Sequence, residues 1–236
     1  MDTLTPRTAD AVELDLSGVG LRETNRLLHH PEELTGTTVT ISHPQGAHSV
    51  AAGLDAPLVI TVAGHVGYYA AGMNQQATIT VDGNCGPGVA ENMMSGRVRV
   101  RGNASQSAGA TAHGGLLIID GDAGARCGIS MKGVDIVVGG NVGHSSAFMA
   151  QAGRLVVRGD AGDGFGDSIY EARLYVRGRV ASLGADCVAK DMGPDQLTEL
   201  AGLLEAAGYD DDPAEYTRYG SARRLYHFHT DNANAY

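Results

Sequence analysis

The sequence lacks the features that would place a protein in a membrane or on a nucleic acid. No apolar run approaches the roughly 20 residues that a membrane-spanning helix needs, and no basic region followed by an apolar one begins the chain. Acidic side chains outnumber basic ones by 27 to 17, so the formal net charge is −10. Nucleic-acid binding depends on neutralising phosphates with Lys and Arg, and this charge balance opposes it. We therefore expect a cytoplasmic protein that binds neither a membrane nor a nucleic acid.

Glycine is the residue present in excess, at 34 of the 236 positions. One glycine returns every nineteen residues over seven occurrences without a slip, which defines an internal repeat. These key glycines are Gly64, Gly83, Gly102, Gly121, Gly140, Gly159 and Gly178.

Two positions before each key glycine are aliphatic in all seven repeats. The position four residues before it holds Ile60, Ile79, Val98, Leu117, Ile136, Leu155 and Leu174. The position two residues before it holds Val62, Val81, Val100, Ile119, Val138, Val157 and Val176. Because positions two apart on a strand face the same side, each repeat contains a strand with one buried face.

Three positions after the key glycine also keep their character. The next residue is usually Asn or Asp, which we interpret as a turn residue: His65, Asn84, Asn103, Asp122, Asn141 and Asp160, before Arg179 breaks the series. The third position after it is small: Gly67, Gly86, Ser105, Gly124, Gly143, Gly162 and Ala181. The seventh is small as well: Ala71, Ala90, Gly109, Gly128, Ala147, Gly166 and Ala185.

A unit of nineteen residues is too short for a strand, a crossover helix and a return strand. Seven hairpins are disfavoured because the alternation would differ between the two arms of each hairpin. Stacked coils explain why every column repeats, so we predict an all-β fold in which residues 58–190 form a right-handed parallel β-helix. This single-stranded solenoid would have seven coils about 4.8 Å apart.

The segments before and after the repeat are predicted to cap the solenoid. In residues 1–57 we predict a strand at 12–16, a short helix at 22–28 and a second strand around 39–41. In residues 191–236 we predict an amphipathic helix from Gly193 to Gly208, followed by a tail rich in aromatic residues. Such a tail is expected to pack on the rod or on a neighbour.

The outward face of the strands changes character along the rod. The position three residues before the key glycine holds Thr61, Thr80 and Arg99, and then Ile118, Val137, Val156 and Tyr175. An apolar stripe of this kind usually marks a contact, so either the chain's own C-terminal segment or a partner subunit covers it. We take as candidate interface residues Ile118, Val137, Val156 and Tyr175, with Tyr226, Phe228 and Tyr236 of the tail.

No catalytic, cofactor-binding or metal-binding residue is predicted. The three cysteines, Cys85, Cys127 and Cys187, occupy different columns on separate coils, which places them beyond disulfide reach and suits buried free thiols in a reducing compartment. Loop carboxylates and scattered histidines lack partners at ligand spacing, as for Asp163, Asp167, Glu171, His65, His113 and His144. A metal pair formed by His227 and His229 is the less favoured interpretation of the tail.

The glycine spacing resembles that of a known family. The pattern Gly-x-x-Gly-x-x-x-Gly occurs at Gly121, Gly124 and Gly128 and recurs from Gly159, as in the GXGXG β-helix domain of the glutamate synthase large chain. The segments GVAENMMSG, GISMKG, GHSSAFMAQAG and YGSARRLYHFHTDNANAY resemble its stand-alone version. The resemblance covers residues 12–236, although coils one, two, five and seven have Ala as the third residue of the triplet.

The resemblance implies a non-catalytic structural subunit of a glutamate-synthase-like FMN complex. Its partners would be a glutamine-amidotransferase-like subunit and an FMN-binding glutamate-synthase-like subunit, and the latter would also hold an iron–sulfur cluster. The stand-alone domains of N-methylglutamate synthase are the most similar, so we expect a complex that converts methylamine and glutamate to N-methylglutamate and ammonia. The subunit would help shape the path of ammonia or methylamine.

Three other functions stay open at this point. One is a glutamate synthase subunit that uses ammonia, and another is a self-associating scaffold. The third is a stand-alone β-helix enzyme acting on polysaccharide, which would need charged residues in one column of adjacent coils. The position five residues before the key glycine comes nearest to that requirement, with Arg97, Asp135, Arg154 and Arg173.

Overall fold

The computed structural model describes residues 11–34 and 37–223, and within them the protein is mostly β-sheet with two α-helices. The strands are β1 (Ala11–Asp15), β2 (Thr38–Ser42), β3 (Val59–Ala63), β4 (Thr78–Val81), β5 (Arg97–Val100), β6 (Leu116–Ile119), β7 (Lys132–Val138), β8 (Ala152–Val157), β9 (Arg173–Val176), β10 (Cys187–Lys190) and β11 (Thr217–Ser221). The helices are α1 (Leu21–Leu28) and α2 (Pro194–Ala207). Within the described part of the chain, neither helix has the length and apolar character needed to cross a membrane.

The predicted parallel solenoid is confirmed. Strands β1 to β9 lie side by side in chain order, and every neighbouring pair is parallel. The register follows the repeat, so that Ile79 pairs with Val98 and Val98 with Leu117. These inward side chains are at most 1% exposed and form one continuous core along the rod.

Parallel pairing begins before the repeated glycines. Strand β2 pairs with β3, placing Val39 beside Ile60 and Ile41 beside Val62, and β1 pairs with β2. The predicted N-terminal strands and short helix are therefore present, and their apolar residues extend the inward columns of the solenoid.

The seventh position after the key glycine lies in the turn that follows the strand in each coil. Its residue has positive φ in successive coils, with φ 53° at Ala71 and 68° at Gly128. Positive φ alone does not restrict this column to Ala and Gly, because Thr111, two positions further along its coil, has φ 55°. Space does restrict it: Ala71 is 1% exposed, and a Cβ atom at Gly109 would lie 2.6 Å from the Cδ1 atom of Ile136. The requirement for a small residue at this position is therefore mainly steric.

The key glycines make room for a ladder of side chains. A Cβ atom on Gly121 would overlap the Oδ1 atom of Asn103, and equivalent overlaps recur from Gly102 to Gly178. Asn103 Oδ1 accepts a hydrogen bond from the backbone N–H of Asp122, at 2.8 Å, in the next coil. The interpretation of the Asn and Asp residues as turn residues is therefore incomplete, because each also links its coil to the following one.

The same ladder explains its two atypical ends. His65 begins it by accepting a hydrogen bond at Nδ1 from the N–H of Asn84, at 2.8 Å. Arg179 ends it by donating its backbone N–H to Asp160 Oδ1 at 2.8 Å. Arg179 follows the last acceptor of the ladder, so its own side chain does not need to act as one.

The C-terminal end of the sheet contains two strands, β10 and β11, in addition to the predicted helix and tail. Strand β11 inserts antiparallel between β9 and β10, so β10 is the last strand of the sheet. Tyr219 of β11 packs edge-on against Phe165, with ring centroids 6.0 Å apart. This part of the aromatic tail packs on the chain's own rod, as one of the two alternatives expected.

Candidate partner interface

The apolar stripe predicted as an interface lies under the chain's own C-terminal helix. Ile118, Val137, Val156 and Tyr175 are each 0% exposed. They pack against four residues of α2, Leu200, Leu203, Leu204 and Ala207. The chain's own C-terminal segment therefore covers the stripe. The assignment of these four residues to a partner contact is wrong. The other three predicted interface residues, Tyr226, Phe228 and Tyr236, lie outside the described residues.

Helix α2 has the features predicted for it. Pro194 occupies its first turn, and Gly208 follows its last residue with φ 85°, the left-handed conformation that commonly ends a helix. Leucines three and four positions apart place one apolar face on the rod. The prediction of an amphipathic helix ended by glycine is confirmed.

The charged column beside the stripe holds this helix. Arg154 donates to both carboxylate oxygens of Asp135, at 2.6 and 2.7 Å, and at 3.2 Å to Glu199 of α2. Glu199 also accepts from Arg173 and from the hydroxyl of Tyr175, both at 2.6 Å. Burial raises the pKa of Asp135 although Arg154 opposes the shift, and burial followed by the bond to Glu199 raises the pKa of Tyr175. The column is therefore a helix-docking network.

Two further arginines contact the C-terminal end of α2. Arg97 donates to the carbonyl oxygen of Ala206 at 2.6 Å, and Arg99 donates to that of Ala207 at 3.1 Å. The last carbonyls of a helix have no partner within it and carry a partial negative charge, which cations stabilise. Arg99 is held in place by a bidentate pair with Asp120. Every charged residue that suggested a polysaccharide groove thus contacts α2 directly or through a neighbour.

A second polar cluster fixes the chain after α2. Asp211, whose side chain is 6% exposed, accepts hydrogen bonds from Arg158 at 2.7 Å, from Arg177 at 2.9 Å and from the hydroxyl of Tyr216 at 2.7 Å. The hydrogen bond from Arg158 is the main cause that lowers the pKa of Asp211 to about 2. Arg158 also lies 3.9 Å from the centroid of the Tyr209 ring. The connection from helix to β11 is therefore tied to the rod by charge-assisted bonds.

The cysteines do not fit an iron–sulfur cluster. All three are buried free thiols, as predicted. Burial raises the pKa of Cys85 and of Cys127 to about 12, and that of Cys187 to about 11. A cluster needs several thiolates at one point, whereas these thiols lie on separate coils and favour the protonated form. Within the described ranges, no three His, Cys, Asp or Glu side chains are grouped so that they could hold a metal ion.

The loop carboxylates have ordinary local partners. Asp163 accepts a hydrogen bond from the hydroxyl of Ser182 at 3.0 Å, and Asp167 accepts one from Ser168 at 2.7 Å. Neither bond brings the two carboxylates together at one reacting point. The arrangement gives no support to acid and base roles for this pair.

An exposed aromatic patch lies on the N-terminal coils, away from α2. Tyr68, Tyr69 and Met73 are 49%, 51% and 54% exposed. Tyr69 and Met73 line a groove of 240 Å³ with Glu91 and Asn92 of the next coil. We call Tyr68, Tyr69 and Met73 the tyrosine patch. It was missed in the sequence because its residues come from one coil and form no column.

Comparison with known proteins gave one clear relative. The chain is 59% identical over 225 residues to Protein GlxC of Rhizobium meliloti (strain 1021), a match that covers 94% of this chain and 99% of the relative. No model of a protein family matches the chain. No solved structure matches it either.

Proposed function

We propose that this chain, which belongs to the same family as Protein GlxC, is a non-catalytic structural subunit of a glutamate-synthase-like FMN complex. N-methylglutamate synthase is the specific complex proposed, with methylamine and glutamate as substrates. The glycine triplets that resemble the GXGXG domain support the type of complex. The observation that carries the structural role is that the rod's charged column is engaged by its own helix, through Arg154 and Glu199.

The proposed partners are a glutamine-amidotransferase-like subunit and an FMN-binding subunit that also holds an iron–sulfur cluster. The three cysteines of this chain are buried and separated, which is consistent with a cluster held elsewhere. Contiguous exposed apolar groups often mark contacts, so we propose the tyrosine patch as part of a partner contact. In the assembled enzyme, the rod would orient the two partners and shape the path of ammonia or methylamine between them.

A stand-alone enzyme acting on polysaccharide has less support. Such an enzyme would present charged residues of adjacent coils to a groove, but Arg97, Asp135, Arg154 and Arg173 belong to the network around α2. A glutamate synthase subunit that uses ammonia would have the same rod, so the nitrogen donor must be measured.

The proposal is tested by purifying the tagged full-length chain from cells that express its native neighbours and identifying the proteins that accompany it. We expect two subunits of the stated types, and N-methylglutamate formation from methylamine by the complex but not by the isolated chain. Turnover by the chain alone would contradict the structural role. Ammonia as the preferred donor would instead assign the complex to glutamate synthase.

Two variants test the partner contact in the same purification. Met73→Asp places a charge in the tyrosine patch, whereas Met149→Asp places one at a similarly exposed methionine elsewhere on the rod, 51% exposed against 54%. We expect the first variant to recover less partner protein and the second to match the wild type. Equal recovery in both would remove the patch from the interface while leaving the composition of the complex as found.

A further inference from the structure

A wide polar cavity lies at the C-terminal end of the rod, where β9, β10 and β11 meet the start of α2. Its volume is 930 Å³. The described lining includes four cationic side chains, Arg173, Lys190, Arg218 and Arg223, and one carboxylate, that of Glu171. Among the described residues that line the cavity, cations therefore outnumber carboxylates.

Two of these cations lie opposite each other on neighbouring strands. Lys190 of β10 lies directly opposite Arg218 of β11 in the antiparallel register. Like charges directly opposite each other on neighbouring strands are destabilising. The pair therefore costs stability unless a negative charge lies between the two side chains.

The other two cations of the cavity lining are paired with carboxylates of the same chain. Arg173 pairs with Glu199 at 2.6 Å, and Arg223 donates to Asp186 at 2.7 Å. Among residues 11–34 and 37–223, no carboxylate lies within 4.0 Å of the charged atoms of Lys190 or Arg218. Arg218 donates Nη1 to the backbone oxygen of Asp191 at 2.9 Å.

Local geometry holds both side chains toward the cavity. The Cγ and Cε atoms of Lys190 would lie 3.3 and 3.6 Å from a Cβ atom at Gly220, so the lysine stem lies across the strand where the glycine has no side chain. The Nε atom of Arg218 is buried, and no protein partner for it occurs in the described part of the chain. A buried donor without an acceptor is costly, so the described part of the chain does not fully satisfy the guanidinium group of Arg218.

We propose that this cavity binds a carboxylate-bearing segment of a partner protein, with one carboxylate placed between Lys190 and Arg218. The cavity is open and largely polar, whereas small-molecule pockets are usually enclosed and apolar. Its cations are spread over three adjacent strands, about 10 Å across, a distance that suits acidic side chains on an extended segment better than one small anion. Arg forms charge-assisted pairs with carboxylates readily. The identity of the partner rests on the proposed function, but carboxylate binding does not.

The chain contains two lysines, Lys132 and Lys190, which allows a selective measurement. Reductive dimethylation with ¹³C-formaldehyde gives each lysine its own NMR signal and keeps its charge. The full chain is titrated at low salt with the peptide acetyl-Gly-Glu-Glu-Glu-Gly-amide, and separately with the same peptide carrying Gln in place of Glu. We expect the Lys190 signal to shift to saturation with the Glu peptide, while Lys132 and the Gln peptide show no such shift.

Variants are compared by fluorescence anisotropy of the labelled Glu peptide. Lys190→Gln and Arg218→Gln should each weaken binding about tenfold, the loss of one charge-assisted pair. The matched controls Lys132→Gln and Arg101→Gln should leave binding unchanged. If Arg218→Gln fails to fold, Lys190→Gln, which keeps the lysine stem, decides the outcome.

Three results would overturn the inference. Equal shifts of both lysine signals would indicate general charge screening. Unaltered peptide binding by Lys190→Gln would place the site elsewhere. Saturation of the Lys190 signal by inorganic phosphate, with no effect of the Glu peptide, would make this a phosphate site. None of these results would change which subunits accompany the chain on purification, so this failure is distinguishable from failure of the proposed function.

Discussion

The two halves of the rod have the same inward face and different outward faces. The inward residues Ile79 in the first half and Ile136 in the second are 1% and 0% exposed. On the outward face, Thr61 of the first half is partly exposed, whereas Val137 of the second half is fully buried under α2. The inward columns therefore build the coil, and the outward column decides where the helix docks.

The inward and the outward contacts therefore contribute separately to the stability of the protein. The coils share one core along the whole rod, but α2 forms its own apolar cluster with the outward residues of β6 to β9. A change in the inward or turn columns should have similar effects in both halves. A change in the outward column should matter only where the helix lies over it.

The largest effect is expected for a charge beneath the helix. Val137→Asp places a carboxylate in a fully buried apolar site and should lower the free energy of unfolding by about 3–5 kcal/mol. Thr61→Asp, in the same column of the first half, should change it by no more than about 0.5 kcal/mol. Urea denaturation followed by circular dichroism measures both. Similar losses for the two variants would contradict the difference between the halves.

A comparable but smaller effect is expected for a tight glycine in either half. A Cβ atom at Gly86 would lie 2.7 Å from the carbonyl carbon of Gly67, and one at Gly124 would lie 2.9 Å from that of Ser105. Gly86→Val and Gly124→Val should each lower the free energy of unfolding by about 2–4 kcal/mol, through overpacking and backbone strain. Urea denaturation of both variants measures this. A marked inequality between them would show that the coils of the two halves are not equivalent.

The smallest effect concerns acid stability. The pKa of Asp211 is lowered to about 2 in the folded chain from an ordinary value of 3.8, so its stabilising contribution is present above pH 4 and is lost as the pH falls toward 2. Asp211→Asn should lower the free energy of unfolding by about 1 kcal/mol at pH 7, allowing for solvent screening, and by little at pH 2. Urea denaturation at both pH values measures the difference.

The first half offers a matched control for this prediction. Asp82 pairs with Arg101, and their side chains are 44% and 64% exposed. Exposed pairs contribute little, so Asp82→Asn should leave stability nearly unchanged at both pH values. A loss at pH 7 as large as that of Asp211→Asn would mean that burial does not distinguish the two pairs.

The repeat made the coil predictable from sequence, and the outcome for individual residues shows where prediction ended. Ile79 and Val98 occupy equivalent columns and pair as expected. The role of Gly121 was only partly predicted, because the need for a missing Cβ appears once Asn103 of the preceding coil is placed beside it. Strands β10 and β11 were missed because their residues fall outside the strand columns of the repeat, and because β11 returns antiparallel from a segment that follows α2.

The candidate site was less predictable because its contacts do not follow the repeat. The sequence indicated an apolar stripe that either a partner or the chain itself could cover, and a charged column that was considered as a polysaccharide groove. The tyrosine patch and the pair formed by Lys190 and Arg218 follow no repeated column. Their significance depends on exposure and on which charges lie nearby in space.

The sequence by itself determined the coil, its register and its inward columns. This was possible because a contact between neighbouring coils recurs every nineteen residues, so the same preference for residue type occurs seven times in the sequence. Only the tertiary structure decided what covers the stripe and what remains open to partners. Those outcomes rest on single contacts between distant segments, such as Arg154 with Glu199, 45 residues apart, and Arg97 with Ala206, 109 residues apart. Contacts of that kind are made once, and no sequence period records them.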